Sequence, residues 1–226
     1  MTNIEQTLGV IFKDKGLLKQ AFTHRSYLNE NRTSGLEHNE RLEFLGDAVL
    51  ELVVTDYLYK KYPNKPEGDL TALRSALVNS VMIASVSVEL GFNEHLLLSK
   101  GEAKDTGRAR QYIMANTFES VVGAIYIDQG YAEAERFITR VLLPKIKIVE
   151  DQKLWVDAKS YFQEKAQEML GVTPSYKTIK EHGPDHDKIF TVGLYVNESL
   201  IAEGAGKSKQ EAEQDAAKKG LEARKW

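Results

Sequence analysis

The sequence predicts two domains of different class, an all-α domain followed by a small α+β domain. From Ile4 to about Leu143, apolar residues recur with the period of an α-helix, and no strand-like alternation occurs. From Asp157 onward, three short strand-like segments lie between two helical ones, in the order α-β-β-β-α. The change of pattern between these stretches indicates the domain boundary.

Composition restricts the function classes. The chain has 226 residues, 42% of them hydrophobic, and a net charge of -3, so its overall charge does not indicate a nucleic-acid binder. The lack of cysteine excludes disulfides, thiolate zinc sites and a cysteine nucleophile, and it fits a reducing compartment. The sequence has neither a signal-peptide pattern nor an apolar run of membrane-spanning length. We therefore expect a cytoplasmic protein that does not enter a membrane.

Helical periods and turn residues predict the elements of the first domain. In chain order they are short helices at 4–12 and 15–22, a polar loop at 29–35, a long helix that stops before Pro63, a turn at 64–69, an amphipathic helix at 70–90 closed by Gly91, a polar loop at 101–107, and helices at 113–128 and 132–142. Residues 145–155 have no clean period and are predicted to be a linker or a strut.

The second domain is predicted with clearer boundaries. Its elements are a helix at 157–170 ending at Gly171, strands at 176–181, 189–195 and 199–203, and a helix at 208–223. Ser208 and Glu211 form an S-x-x-E capping box at the start of the last helix. Small residues give this helix a thin face for packing on a sheet, namely Ala212, Ala216 and Ala217.

Three acidic side chains share one face of the first long helix. At about 100° per residue, Glu40, Glu43 and Asp47 lie on one side, and apolar Leu50 and Val54 continue that side. The opposite side is predicted to be the core stripe, formed by Leu42, Leu45, Val49 and Leu52. Partly buried acids repel one another, and a divalent cation relieves this repulsion. The alternative is an exposed acidic strip paired with Lys or Arg, but the lack of basic residues on that face favours a metal.

A second helix, residues 113–128, offers matching ligands. Its core face is predicted to consist of Phe118, Val121 and Ile125, while Asn116, Glu119 and Gly123 share the other face. The glycine lets another backbone come close. Together with Glu43 and Asp47, these side chains would form a compact all-oxygen cage, which suits Mg²⁺ or Mn²⁺ better than Zn²⁺.

Two lysines flank the start of the last helix. Lys207 and Lys209 lie beside Ser208, where free backbone N–H groups and the helix dipole already favour an anion. This grouping predicts a phosphate site. The alternative is that both are ordinary solvated lysines, which the capping box and the preceding G-A-G turn make less attractive.

The run from His38 to Leu50, H-N-E-R-L-E-F-L-G-D-A-V-L, closely resembles the signature of the ribonuclease III family. Further matches are Phe22–Tyr27, Pro63–Gly68, Phe118–Asp128, Gly183–His186 and Gly206–Ala217. Nearly the whole chain is similar to a bacterial ribonuclease III. The resemblance implies a ribonuclease III catalytic domain at residues 4–130 with helix extending to about 143, a linker at 144–155, and a double-stranded RNA-binding domain at 156–225.

The resemblance also implies an activity and a partner. The activity would be magnesium-dependent hydrolysis of double-stranded RNA to 5′-phosphate and 3′-hydroxyl ends, in the processing of rRNA precursors and other structured RNAs. The protein would act as a homodimer whose two active sites cut opposite strands. Phe44 matches an aromatic residue that packs into the partner subunit in the family, and packing in its own core is the alternative.

Individual roles follow from the same resemblance. Glu43 and Glu119 are similar to magnesium ligands, and Asp47 with Glu119 resembles the pair most needed for chemistry. Supporting acids near the scissile strand would be Glu40 and Glu67. In the second domain, Gln163 and His186 would reach into minor grooves, while Lys207 and Lys209 would contact phosphates across the major groove.

Asn116 departs from the family pattern, which usually has Asp there. An amide oxygen still ligates a hard cation but brings no negative charge, so metal affinity is expected to fall. The rival hypothesis is therefore a non-cleaving double-stranded RNA-binding protein with an impaired metal site. A purely structural helical protein is a remote alternative, because it leaves the acids and the lysine-flanked cap unexplained.

Overall fold

The chain divides into two units, residues 1–155 and 156–226, each with its own hydrophobic core. The computed structural model describes residues 3–152, 157–184 and 188–226. Among these residues, no single helix is long and apolar enough to cross a membrane. Two consecutive helices at 67–78 and 80–89, bent by 42°, would together be long and apolar enough, by length and composition only.

The first unit is helical, as the sequence predicts. Its α-helices within residues 3–152 are α1 (Asn3–Leu8), α2 (Lys15–Ala21), α3 (Arg25–Glu30), α4 (Glu40–Lys61), α5 (Glu67–Val78), α6 (Ser80–Glu89), α7 (Arg108–Gln129), α8 (Tyr131–Val141) and α9 (Ile146–Asp151). The β-type pairing described in this unit is an isolated bridge between Thr23 and Leu97.

Helices α4 and α7 form the centre of the first unit. The predicted core face of α7 is confirmed, since Phe118, Val121 and Ile125 are fully buried. Other helices surround α7, so its burial extends around most of its circumference. Buried residues are therefore spread around α7, except on the side that carries Asn116 and Glu119, which are half-buried.

The predicted core stripe of α4 is only partly correct. Leu42 and Val49 are buried, but Leu52 is 56% exposed, so the prediction for Leu52 was wrong. Leu50 and Val54, which continue the acidic face, are fully buried. Because α7 covers α4 on the side of these two residues, the core side is rotated towards the acids, and Leu52 is left on the uncovered side.

Residues 70–90 form two helices, α5 and α6, where the sequence predicted one. Asn79 separates them with an extended backbone, φ -70° and ψ 156°. Its side-chain oxygen accepts from the Met82 N–H at 2.9 Å, and its amide donates to the Ala76 carbonyl at 3.0 Å. One asparagine thus ends α5 and caps α6. The predicted helix end at Gly91 is confirmed by its left-handed φ of 69°.

The predicted linker at 144–155 contains helix α9. Its Ile146 and Val149 are buried in the first core, and the Tyr62 hydroxyl donates to the Glu150 carboxylate at 2.6 Å. Residues 146–151 are therefore part of the first unit. Residues 153–156 lie outside the described part of the chain.

The second unit has the predicted order α-β-β-β-α. Its elements are α10 (Ala158–Leu170), β1 (Ser175–His182), β2 (Ile189–Val196), β3 (Ser199–Gly206) and α11 (Lys209–Arg224). The strands form an antiparallel sheet in the order β1-β2-β3. The alanine face of α11 is fully buried, and a Cβ added at Gly204 of β3 would lie 2.1 Å from the Ala216 nitrogen. Helix and sheet therefore pack backbone to backbone.

Candidate functional site

A glycine contact brings α4 and α7 together beside the acidic residues. A Cβ added at Gly46 would lie 1.7 Å from the Glu119 carbonyl oxygen, and one at Gly123 would lie 2.2 Å from the Leu42 carbonyl oxygen. Neither position accepts any side chain without moving a backbone. The contact therefore fixes the spacing of Glu43 and Asp47 on α4 from Glu119 on α7.

Glu119 is the most strongly perturbed of these acids. It is half-buried, and burial together with the neighbouring Asp47 and Glu43 carboxylates raises its pKa from 4.5 to about 8. Burial and the Glu51 carboxylate also raise the pKa of Asp47, which is more exposed. Such clusters of raised carboxylate pKa values are typical of catalytic and metal sites.

Without a metal ion, the Asn116 side chain affects the pKa of Glu43. Burial, Glu40 and Asp47 raise the pKa of Glu43, and a hydrogen bond from the Asn116 side chain opposes this rise. Asn116 is thus directed at the acid cluster, as its position on the helix predicted. A second carboxylate there would repel Glu43, whereas the amide stabilises the charged form of Glu43.

Glu40 is paired with a basic residue that the sequence reasoning missed, and it lies near a histidine. Its carboxylate lies 3.2 Å from the Arg25 guanidinium of α3 and 3.7 Å from His38 Nδ1. The expectation of an acidic face without basic residues was therefore wrong for Glu40, because tertiary packing brings a cation from another helix. Glu67 begins α5, is exposed, and is not among the groups that shift the pKa of Glu43, Asp47 or Glu119.

The predicted compact cage is not closed. In the part of the chain that the structure describes, no three His, Cys, Asp or Glu side chains converge closely enough to hold a metal ion. What the helices do provide is a group of half-buried oxygen donors that repel one another. This donor set fits a hard divalent cation, which would relieve the repulsion when the side chains close around it.

A buried polar network near the acids was also missed. Asn39 is 2% exposed, and its backbone N–H and side-chain amide donate to the Thr23 and Ala21 carbonyls at 3.0 and 3.3 Å. The buried Ser120 hydroxyl lies 3.3 Å from the Asn39 carbonyl and 2.7 Å from that of Asn116. This network ties the start of α4 to α2 and to α7. An asparagine directly before a helix usually caps that helix, so its position in the sequence did not indicate that Asn39 joins α4 to other helices.

Phe44 is not a core residue. Its side chain is 81% exposed, which excludes packing in its own core. Leu52 and Tyr59 are also exposed and lie on the same side of α4. Exposed apolar residues aligned on one helix face are typical of an interaction surface.

The start of α11 carries the second group of candidate residues. The Ser208 hydroxyl accepts from the Glu211 N–H at 3.1 Å, which confirms the cap. The Glu211 carboxylate accepts from the Lys207 N–H at 2.9 Å. Lys207 and Lys209 are exposed on either side of this cap, and Gln163 is exposed on α10. His186 lies outside the described residues.

Comparisons with known proteins agree on the family. A family model described as ribonuclease-III-like matches residues 14–146, and one described as a double-stranded RNA binding motif matches residues 158–223. Proteins named ribonuclease 3 from Pelotomaculum thermopropionicum and Enterococcus faecalis are each 46% identical over 98% of this chain, covering 92% and 96% of their own lengths.

A solved structure matches the first unit. It is a nuclease domain of ribonuclease III from Campylobacter jejuni, described as flexible in a region involved in dimer formation. It has a TM-score of 0.57 and 39% identity, and the match covers 62% of this chain and 96% of that one. The chain belongs to the ribonuclease III family and is a hydrolase with a ribonuclease-III-like nuclease domain and a double-stranded RNA binding motif.

Proposed function

We propose that this protein is an endoribonuclease that hydrolyses phosphodiester bonds of double-stranded RNA with Mg²⁺, leaving 5′-phosphate and 3′-hydroxyl ends. Mn²⁺ is a possible substitute. Its cellular role would be the processing of rRNA precursors and other structured RNAs in the cytoplasm. The observation that carries the proposal is the group of mutually repelling acids on the glycine contact of α4 and α7, in a chain that also has a double-stranded RNA binding motif.

The side chains of the acid cluster would divide the work. Glu43, Glu119 and the Asn116 side-chain oxygen would hold the cation, which supplies Lewis-acid polarisation of the scissile phosphate and lowers the pKa of a water. Asp47 is more exposed and has a raised pKa, which suits it to orient the attacking water and take its proton together with Glu119. Glu40 and Glu67 would be supporting acids near the scissile strand.

The RNA contacts would come from the second unit. Gln163 and His186 would reach into minor grooves, and Lys207 and Lys209 would contact phosphates. The exposed side chains of Lys207 and Lys209, at the positive end of the helix dipole, support the phosphate contacts. Such contacts depend on A-form shape and phosphate charge, so binding should weaken steeply with salt.

A homodimer would place two acid clusters on one duplex. Phe44 would insert into the partner subunit, and its 81% exposure on the apolar side of α4 supports this role. A two-fold axis repeats one cleavage site on each strand at a fixed separation.

The relatives described above favour cleavage over the non-cleaving alternative. They match over nearly the whole chain and are named ribonuclease 3. In addition, the three acids Glu43, Asp47 and Glu119 are present beside Asn116.

The test is incubation of the full chain with a long labelled RNA duplex, with Mg²⁺ or with EDTA, followed by a denaturing gel and end-group analysis. We expect fragments with 5′-phosphate ends in Mg²⁺ alone, and no cutting of single-stranded RNA of the same sequence. Intact duplex that still shifts on a native gel would instead favour the binding-only protein. Intact and unshifted duplex would contradict both.

A further inference from the structure

Glu181, at the end of β1, lies among the lysines at the start of α11. Its Oε1 is 3.4 Å from Lys209 Nζ, and its Oε2 is 3.9 Å from Lys188 Nζ. One carboxylate therefore faces two ammonium groups that belong to different segments of the chain. Its two oxygens lie where two oxygens of a phosphate group would be attracted.

The register of the sheet produces this arrangement. Glu181 pairs with Phe190 of β2, and Phe190 pairs with Gly206 at the end of β3, so the three residues form a row across the sheet. Helix α11 begins three residues after Gly206, which brings Lys209 back over the row, with its Nζ 5.7 Å from the centre of the Phe190 ring. The pairing of the three strands thus places the Glu181 carboxylate and Lys209 together at one end of the sheet.

A second carboxylate acts at the same helix start. Glu211 accepts the Lys207 backbone N–H, so this donor is also satisfied within the chain. In the free protein, carboxylates of the chain itself therefore hold groups that an incoming phosphate would contact. The two acids differ, because Glu211 is part of the cap, whereas Glu181 forms ion pairs with the side chains of two lysines.

We propose that Glu181 is an internal competitor of the RNA phosphate and thereby sets the affinity of the second unit for RNA. A phosphate reaches Lys209 and Lys188 only when it displaces the Glu181 carboxylate, which also repels it. The inference rests on the proposed binding of double-stranded RNA. The cost is the same for every ligand with phosphodiesters, so ligands that make few contacts lose a larger share of their binding free energy than duplexes that make many.

The experiment measures binding of the full chain in EDTA to a labelled duplex of about 20 base pairs, which spans the length that such domains contact. Glu181→Gln is compared with Glu198→Gln. The control removes the same charge from an exposed residue between β2 and β3, at the opposite end of the sheet. Circular dichroism and thermal melting check that both variants remain folded.

Glu181→Gln is expected to bind the duplex about three- to tenfold more tightly than the original chain, because a weak exposed ion pair and a short-range repulsion are both removed. The gain should shrink as salt is raised, since both effects are screened. In a Lys209→Ala background the gain should fall below half of its value, because one of the two competed lysines is gone.

Each result bears on a distinct claim. Equal affinities of the Glu181→Gln and Glu198→Gln variants, with the original chain binding duplex, would overturn the competitor role and leave the proposed function intact. A gain that is independent of salt or of Lys209 would also overturn it. Failure of the original chain to bind duplex RNA at all would contradict the proposed function, and the competitor role with it.

Discussion

The first unit carries a cluster of acids, Glu43, Asp47 and Glu119, and the second unit carries two lysines, Lys207 and Lys209, at the start of α11. The two sites are built in opposite ways. Glu119 and Glu43 are half-buried between two helices that meet at glycines, and burial is the largest cause of their raised pKa values. Lys207 and Lys209 are exposed beside a helix cap. Buried groups act strongly and depend on packing, whereas exposed charges act weakly and depend on salt. The two sites should therefore respond to different perturbations.

The largest effect is expected for Glu119→Gln. In the proposed function Glu119 holds the cation, so its loss should remove several kcal/mol of transition-state stabilisation and slow cleavage by on the order of a thousandfold. Duplex affinity in EDTA should not change, because the proposed RNA contacts lie in the second unit. Glu94→Gln, an exposed acid elsewhere in the first unit, is the matched control. Cleavage by Glu119→Gln within tenfold of the original rate would exclude Glu119 from the chemistry.

Packing is tested next with Gly46→Ala. The added methyl group has to displace the α7 backbone, so the free energy of unfolding should fall by about 1–3 kcal/mol or more, and cleavage should fall with it. Gly68→Ala is the control, because a Cβ there meets nothing within 4 Å. Urea unfolding followed by circular dichroism measures the free energy of unfolding of both variants. Equal stability of the two variants would contradict the close contact of α4 and α7.

The pH dependence of stability follows from the raised pKa of Glu119. Its carboxyl is bound more tightly to its proton in the folded chain, so its contribution to stability is present below about pH 4.5 and is lost as the pH rises to about 8. Metal-free protein should therefore lose stability over this range, and Glu119→Gln should flatten the loss. Thermal melts in EDTA at a series of pH values measure this. An equal slope of melting temperature against pH in both proteins would show that the pKa of Glu119 is not raised.

Asn116→Asp sharpens the electrostatic side of the comparison. Adding a charge to the cluster should lower the Mg²⁺ concentration for half-maximal cleavage about tenfold, and it should lower the melting temperature in EDTA because Glu43 loses a donor and gains a repelling neighbour. Asn93→Asp, at an exposed position, controls for net charge. An unchanged half-saturation point would show that residue 116 does not ligate the metal.

The smallest effect is expected for Lys209→Ala. Duplex affinity should fall several-fold and equally for all sequences, and the slope of log affinity against log salt should decrease by about 1. Lys218→Ala, further along the same helix, is the control. Native gels or fluorescence anisotropy at several salt concentrations measure the slope. A loss restricted to some sequences would indicate base recognition instead of phosphate contact.

The second unit was predicted from the sequence more closely than the first. Its strand and helix limits agree within a few residues, because period-2 patterns, Gly171 and the Ser208–Glu211 box are local signals. In the first unit, the break at Asn79 was missed, because residues 70–90 show one continuous helical period. The break depends on two hydrogen bonds of the Asn79 side chain, which that period does not indicate. The exposure of Leu52 was also missed, because it depends on which side of α4 another helix covers.

The sequence by itself determined the class of each unit, the two helices that carry the acids, and the candidate residues on them, because helical spacing and a long family signature are properties of the chain. Tertiary structure alone decided that Arg25 pairs with Glu40, that Asn39 and Ser120 tie α4 to α7, and that Glu181 faces Lys188 and Lys209. The physical reason is that these contacts join residues of different segments of the chain, and only packing and strand register bring their charges and hydrogen-bonding groups within reach.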